Sequence, residues 1–235
     1  YSIINIRLNR YMTLFETLSS LPEWTVVPLS DPSPAPEAFA DAPWALMSNW
    51  MHSHHQIPVI SMVVYVVLVF GIKMLMKNRQ GFSLSYPLFL WNAFLAGFSM
   101  MGVYYTLPAI VRGILEHGFQ SDMCNVDSEY QNGWVMLFCL SKIPEFLDTI
   151  FIVLRKRPLI FLHWYHHIAT MWFCWVAWAV RLENGGMFAV MNLIVHSIMY
   201  SYYASTALGM RWSSTIRSMI TSVQIFQMVF FLVIF

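Results

Sequence analysis

The chain has 235 residues, of which 58% are hydrophobic and only 11% charged. A soluble domain carries about 25% charged residues, so this chain cannot cover a water-facing surface. A soluble enzyme, a nucleic-acid binder and a disordered protein are excluded, and a polytopic all-α membrane protein is predicted. The formal net charge of +1 gives no overall pull toward anionic partners. Cys124, Cys139 and Cys174 are odd in number and widely spaced, which implies neither a disulfide framework nor a CxxC metal site. The chain opens without an initiator Met and without a charged stretch leading into a short apolar one. It reads as a fragment with no signal peptide.

In chain order, residues 1–56 form a polar segment dotted with Pro22, Pro28, Pro32, Pro34, Pro36 and Pro43. The stretch from Asp31 to Pro43 is expected to be irregular. His52, His54 and His55 resemble a metal-binding trio, but beside Trp50 they read as interfacial histidines at the mouth of the first span. Residues 57–235 form the membrane domain. Six apolar runs are long enough to cross about 30 Å of hydrocarbon: Ile57–Met76, Pro87–Val111, Trp134–Leu154, Leu159–Val180, Met187–Leu208 and Thr215–Phe235. None alternates with the period of two that barrel strands need, so all six are expected to be helices. The last run reaches Phe235 without a break in its apolar pattern, so a seventh span is expected beyond it. No internal repeat is evident.

Charge sets the expected orientation. Lys73, Lys77 and Arg79 follow the first run, Arg155, Lys156 and Arg157 the third, and Arg211 and Arg217 bracket the start of the sixth. These turns hold no acidic residue. Glu16, Glu23, Asp31, Glu37, Asp41, Glu116, Asp122, Asp127, Glu129 and Glu183 all lie in the N-terminal segment and the alternate turns, with Arg7, Arg10, Arg112 and Arg181. By the positive-inside rule the basic turns face the cytosol and the N-terminus lies on the other side.

Lys142, Glu145 and Asp148 remain, all inside the third run. A charge at mid-bilayer costs roughly 2.5–3.5 kcal/mol on insertion scales, so these residues need a reason to be there. Their spacing places them on one helical stripe, and Pro144 frees a backbone carbonyl one turn back. They read either as a Lys142–Glu145 ion pair stitching helices together or as the lining of a polar cavity. The fourth run opens with His163, His166 and His167 at i, i+3 and i+4, on one face. The fifth carries Asn192, His196, Met199, Tyr200 and Tyr203 along one stripe, with Tyr202 beside it. The sixth carries Thr221, Gln224 and Gln227, for which interhelical hydrogen bonding is the plain expectation. Four consecutive runs thus present polar groups to a common interior. The inferred object is a helical bundle around a central tunnel, with imidazoles able to accept and donate protons near neutral pH.

The HxxHH spacing admits two chemistries. A di-iron desaturase or hydroxylase needs about eight histidine ligands near one membrane face. Here His52, His54, His55 and His117 lie in non-cytosolic segments, leaving His163, His166, His167 and His196, with Glu145 and Asp148 to complete a set. The other reading is metal-free acyl transfer, with histidine as base or nucleophile. The run Lys142 to Thr149, the box His163-Trp-Tyr-His166-His167, the run Asn192 to Tyr203, and Thr221, Gln224 and Gln227 together resemble, in order, the four signature motifs of the ELO family of fatty acid elongases. The likeness covers residues 142–227, with a weaker match in hydropathy back to residue 57.

The resemblance implies the condensing step of elongation, a very-long-chain 3-oxoacyl-CoA synthase. Acyl-CoA and malonyl-CoA give 3-oxoacyl-CoA, CO2 and CoA. It also implies a seven-helix endoplasmic reticulum protein with a lumenal N-terminus, no cofactor and no metal. Expected partners are the two CoA esters, the bilayer, other elongation-cycle enzymes and a second copy of the chain, with no nucleic acid. His163, His166, His167 and His196 would be catalytic, His166 taking the acyl group or relaying its proton with His196 as its partner. Lys142, Glu145, Asp148, Asn192, Tyr200, Tyr203 and Gln224 would contact substrate, with Lys142, Glu145 and Asn192 orienting imidazoles or holding the thioester oxygen. Phe, Met and Leu suit an acyl tunnel. Lys73, Lys77, Arg79, Arg155, Lys156 and Arg157 suit a basic mouth for CoA. Pro158 stands where elongases of polyunsaturated acids carry Gln, and Ile143-Pro144 follow Lys142. Both point to the saturated and monounsaturated type, although Phe146-Leu147 replace the Leu-Gly of many such enzymes. A lipid or ion transporter should show paired repeats or broken helices, and the sequence shows neither.

Overall fold

The computed structural model describes residues 43–119, 133–180, 182 and 185–234. The chain divides into two compact units, Tyr1–Asp31 and Pro32–Phe235. The first unit lies outside the described residues. So do the proline-rich stretch before Pro43, Cys124, Asp122, Asp127, Glu129, Arg181 and Glu183.

Among the described residues every regular element is helical. Helix α1 is Pro43–Ser53, α2 is Gln56–Leu75 and α3 is Ser85–His117. Next come α4, Gly133–Ser141, a 3-10 turn over Pro144–Phe146, and α5, Leu147–Leu154. Last are α6, Phe161–Ala179, α7, Gly185–Ala207, and α8, Ser214–Ile234. Pro58 and Pro87 sit in first turns, where their missing N–H groups would have no partner within the helix. Ser213 caps α8 by accepting from the Ile216 amide at 3.3 Å.

The apolar runs of the sequence all return as helix, with three differences. Helix α3, which contains the second apolar run, continues six residues past the expected end at Val111, to His117. The first charge, Arg112, marks where an apolar surface stops, not where backbone hydrogen bonding must. The third run is broken, not continuous. Pro144 cannot donate to the Leu140 carbonyl and its ring would crowd it. That carbonyl instead accepts from Ile143 at 3.2 Å, with neighbouring i→i−3 bonds from Lys142 to Cys139 and from Phe146 to Ile143. The broken helix that the sequence reading found lacking is therefore present. Finally, Pro43–Ser53, placed by the sequence within a polar segment, is a helix docked on α6. Ser48 Oγ donates to the Trp178 carbonyl at 3.1 Å, and Trp175 Nε1 donates to the Met51 carbonyl at 3.0 Å. The His54 ring stacks on Trp50 at 4.5 Å, as suits an interfacial histidine.

Two helices, α2 and α3, are long and apolar enough by themselves to cross a membrane. Only 17% and 33% of their apolar windows are buried. A core helix of a soluble protein would hide most of its apolar surface; these leave theirs facing outward. Helices α6, α7 and α8 are 19, 23 and 21 residues long, and polar residues interrupt their apolar runs.

Helices α3 and α7 form the most extensive pairing. It is antiparallel: Leu95 and Ala96 meet Met199 and Tyr200 near one end, and Ile110 meets Val190 near the other. Small buried residues on α3, among them Ala96, Ser99 and Gly102, let the backbones approach. At Gly102 an added Cβ would lie 2.8 Å from Leu193 Cδ1. Helices α2 and α6 make a second antiparallel pair, marked by Tyr65 with His167 and by Phe70 with Trp164. The broken segment α4–α5 lies between the two pairs. It touches α7 through Phe138 and Phe188, and α2 through Phe146 and Tyr65.

Two basic turns are locked together at one end. Phe82 N–H donates to the Leu154 carbonyl at 3.0 Å, and Gly81 lies so close to the Arg155 carbonyl that a Cβ would meet it at 2.9 Å. Lys156 takes a left-handed conformation, φ 53°, just past α5, a place usually filled by Gly. Its Nζ donates to the carbonyls of Lys77 at 3.1 Å and Arg79 at 2.7 Å. Lys156 thus spends its charge on the neighbouring loop, while Lys77, Arg79 and Arg157 stand exposed on the rim.

Gly102→Val should be overpacked against Leu193, which is 1% exposed, and should lose roughly 1–3 kcal/mol of stability. A thermal unfolding midpoint in detergent that matches the parent would contradict this packing.

Candidate active site

The break in the third run creates the first half of the site. At the end of α4, Ser141 and Lys142 turn inward and meet Glu145 from the 3-10 turn. Lys142 Nζ lies 2.8 and 3.0 Å from the two Glu145 oxygens, and Ser141 Oγ donates to Oε1 at 2.8 Å. Lys142 also donates to Asn192 Oδ1 on α7 at 3.2 Å and sits 4.1 Å from the centre of the Phe138 ring. Lys142 and Glu145 are 3% and 4% exposed. The sequence left an ion pair and a cavity lining open; the ion pair forms, and it reaches across to Asn192.

Next along the chain, Asp148 and Thr149 face opposite neighbours. Asp148 accepts from Trp91 Nε1 on α3 at 2.6 Å and from the Tyr200 hydroxyl on α7 at 2.7 Å. Thr149 Oγ1 lies 2.7 Å from the Tyr65 hydroxyl on α2 and 3.1 Å from His163 Nε2 on α6. The 3.6-residue period carries His163, His166 and His167 down one face of α6. The His163 and His167 rings meet edge-on with centroids 4.7 Å apart, and His166 lies 6.0 Å from His167. His167 also packs against Tyr65 and Phe146.

His196 on α7 is buried, with the Tyr200 ring perpendicular to it at 5.1 Å. It lies within electrostatic reach of both His166 and Lys142. The four histidines, the ion pair and Asn192 therefore share one region between α5, α6 and α7. Imidazole lone pairs stand there beside a fixed ammonium and an amide, an arrangement able to attack a carbonyl and to hold its oxygen.

Other expected residues fall at the margin. Tyr203 is 40% exposed, against Tyr202. Gln224 donates to Met199 Sδ at 2.8 Å, the interhelical bond the sequence favoured, and Gln227 is buried. Thr221 faces outward and donates to its own helix at the Arg217 carbonyl. Cys139 and Cys174 are buried, not disulfide-bonded, and help to line a cavity of about 10 Å3 that Phe138, the ring beside Lys142, also lines. Sequence reasoning missed Tyr65 and Trp91. Each carries a polar tip inside an apolar run, and a polar tip in hydrocarbon must find a partner; that was the available signal.

The amino-acid sequence, compared with those of known proteins, places the chain in a family. The chain matches the ELO: GNS1/SUR4 family over residues 50–235, and it belongs to that family. It is 42% identical over 212 residues to fatty acid elongase 3 of Trypanosoma brucei brucei, covering 78% of this chain and 70% of that protein. It is 43% identical over 170 residues to very long chain fatty acid elongase 6 of Drosophila melanogaster, covering 71% and 54%. To very long chain fatty acid elongase 6 of Gallus gallus it is 40% identical over 185 residues, covering 77% and 69%. The chain thus spans between about half and seven-tenths of these relatives' own lengths.

Lys142→Met should strand the Glu145 carboxylate without its counter-charge and cost roughly 3–5 kcal/mol. Adding Glu145→Leu should recover most of that loss. Equal midpoints for the single and double variants in a thermal unfolding assay would show that the pair carries no such coupling.

Proposed function

We propose that this membrane protein is the condensing enzyme of fatty acid elongation. It joins a long-chain acyl-CoA to malonyl-CoA and yields 3-oxoacyl-CoA, CO2 and CoA. The observation that supports the site assignment is the bond from Lys142 to Asn192, which lies one turn before His196 on α7, together with the clustered rings of His163, His166 and His167 on α6.

His166 is the acyl acceptor in this reading. His163 is engaged with Thr149, and His167 and His196 are buried at 7% and 8% exposure. His166 is half-buried, and among the described residues its ring enters no side-chain hydrogen bond. Its free ring nitrogen attacks the thioester carbonyl, and CoA leaves as the thiolate. Lys142 and Asn192 lie close enough to balance charge on the carbonyl oxygen as it develops. Malonyl-CoA then loses CO2, and the carbanion at C2 takes the acyl group from the imidazole, with His196 serving proton transfer.

The di-iron alternative fits the donor set less well. Glu145 is already paired with Lys142, and Asp148 already holds Trp91 and Tyr200. The chemistry proposed here needs neither metal nor cofactor. A transporter would leave the imidazole cluster without a task.

Six spans around an acyl tunnel, with a lumenal N-terminus in the endoplasmic reticulum membrane, would put the locked basic turns at the cytosolic face. Lys77, Arg79, Arg155 and Arg157 would receive CoA phosphates there, and Lys156 holds their loops in register. Pro158 and Ile143-Pro144 favour saturated and monounsaturated chains. Association with other elongation-cycle enzymes or a second copy of the chain belongs to the same proposal.

The test is incorporation of labelled malonyl-CoA into 3-oxoacyl-CoA by the purified protein in liposomes, across acyl-CoA lengths. The parent chain should be active, and His166→Ala should lose at least about 10²-fold in rate, the scale of a lost acid–base or nucleophilic group. Normal incorporation by His166→Ala would remove His166 from this role, and no incorporation by the parent would remove the activity.

A further inference from the structure

The condensation chemistry gives Asp148 no task, yet both its oxygens are committed. Trp91 Nε1 donates to Oδ1 at 2.6 Å, and the Tyr200 hydroxyl donates to Oδ2 at 2.7 Å. An indole N–H can only donate. It therefore fixes one carboxylate oxygen and leaves the other facing Tyr200. The carboxylate joins three helices: α3 through Trp91, its own α5, and α7 through Tyr200. Tyr200 is 2% exposed and lies one turn after His196 on the same face of α7. Its ring stands at 84° to the imidazole with centroids 5.1 Å apart. Rotating Tyr200 away from His196 would break its bond to Asp148, and a hydroxyl this deeply buried gains no solvent bond in exchange. Trp91, itself half-buried, packs against the cluster that holds Leu95, Ala96, Met199 and Tyr200, which restricts its indole.

We infer that Trp91 and Asp148 are positioning residues that hold the His196 imidazole in its working orientation through Tyr200. This rests on the reading of His196 as the partner of His166. In this role Asp148 acts through Tyr200 and not by contact with the substrate. Its neutral partners distinguish it from Glu145, which answers a cation. Of Trp91, Asp148 and Tyr200, it is Tyr200 whose ring packs against the imidazole, so a change at Trp91 or Asp148 reaches His196 by way of the phenol.

The test compares Trp91→Phe, Asp148→Asn, Tyr200→Phe and the double variant Trp91→Phe/Tyr200→Phe. Asp148→Asn and Tyr200→Phe keep close to the side chain's size, Trp91→Phe keeps an aromatic ring in place of the larger indole, and the amide introduced by Asp148→Asn still offers one oxygen to one of the two donors. Each single variant should lower kcat by about tenfold, the worth of one ordinary hydrogen bond, with KM for both CoA esters unchanged. The double variant should be no slower than Tyr200→Phe alone, because both substitutions act through one side chain. Independently of activity, the ring 15N resonances of His196 in histidine-labelled protein should move in Trp91→Phe and Asp148→Asn in the same sense as in Tyr200→Phe. Losses that multiply in the double variant, a raised KM in place of a lowered kcat, or His196 resonances unmoved by Trp91→Phe would overturn the inference. An inactive parent chain would sink the proposed reaction, and the resonances would still decide whether the positioning exists.

Discussion

An ammonium and a carboxylate taken out of water must find each other, and the pairing of Lys142 with Glu145 organises this molecule. Removing either charge alone from a buried pair is far more damaging than never having had the pair. A continuous helix could bring residues i and i+3 together on its own surface. The same helical spacing puts Ser141, one turn before Glu145, within reach of the carboxylate, and Lys142 meets Asn192 and Phe138. The tightened turn before Pro144 keeps these residues together where the proline would otherwise leave a carbonyl bare. The break in the third run is thus compatible with the costly pair beside it, and it costs little itself because an i→i−3 bond recovers the Leu140 carbonyl that Pro144 would have orphaned.

The same break explains how one short segment can serve four helices. After the turn, α5 restarts with Asp148 aimed at the α3–α7 pair and Thr149 aimed at the α2–α6 pair. Adjacent residues on a helix point about 100° apart, so two consecutive polar side chains can address two different neighbours. Each antiparallel pair is thereby pinned to the middle segment by a side-chain hydrogen bond, in addition to apolar packing. In hydrocarbon, where packing between apolar surfaces gains little over packing against lipid, such bonds and close small-residue contacts are what hold helices in register.

Much of the site is legible in the sequence because it is written in the helical period. His163, His166 and His167, and likewise Asn192, His196 and Tyr200, fall on single faces whatever the helices meet. Their shared environment follows once charge has fixed which ends lie together. What cannot be read is what depends on a neighbour. Pro144 in a membrane helix kinks or breaks the chain according to who accepts the freed carbonyl. Asp148 reads as one more lining residue, since nothing local reveals that an indole from residue 91 and a phenol from residue 200 converge on it. Tyr65 and Trp91 stay hidden for a related reason: a lone polar tip has no periodicity of its own. The extent of α3 escapes because a charge ends an apolar run long before it ends a helix.

The distribution of satisfied and unsatisfied groups then bears on reactivity. Lys142, Glu145 and Asp148, the three charged residues of the interior, are all bound to partners within the protein. Thr149, Tyr65 and His163 satisfy one another. The imidazoles of His166, His167 and His196 enter no side-chain hydrogen bond among the described residues, and Asn192, whose Oδ1 accepts from Lys142, keeps its Nδ2 amide for a further partner. A buried charge released for each turnover would have to be desolvated or re-paired every time, at a cost comparable with the barrier being lowered. A neutral imidazole can attack, lose and regain a proton without leaving an unpaired ion behind. Fixing the ions and freeing the imidazoles is therefore an arrangement suited to the acyl transfer proposed above, in a medium that penalises charge.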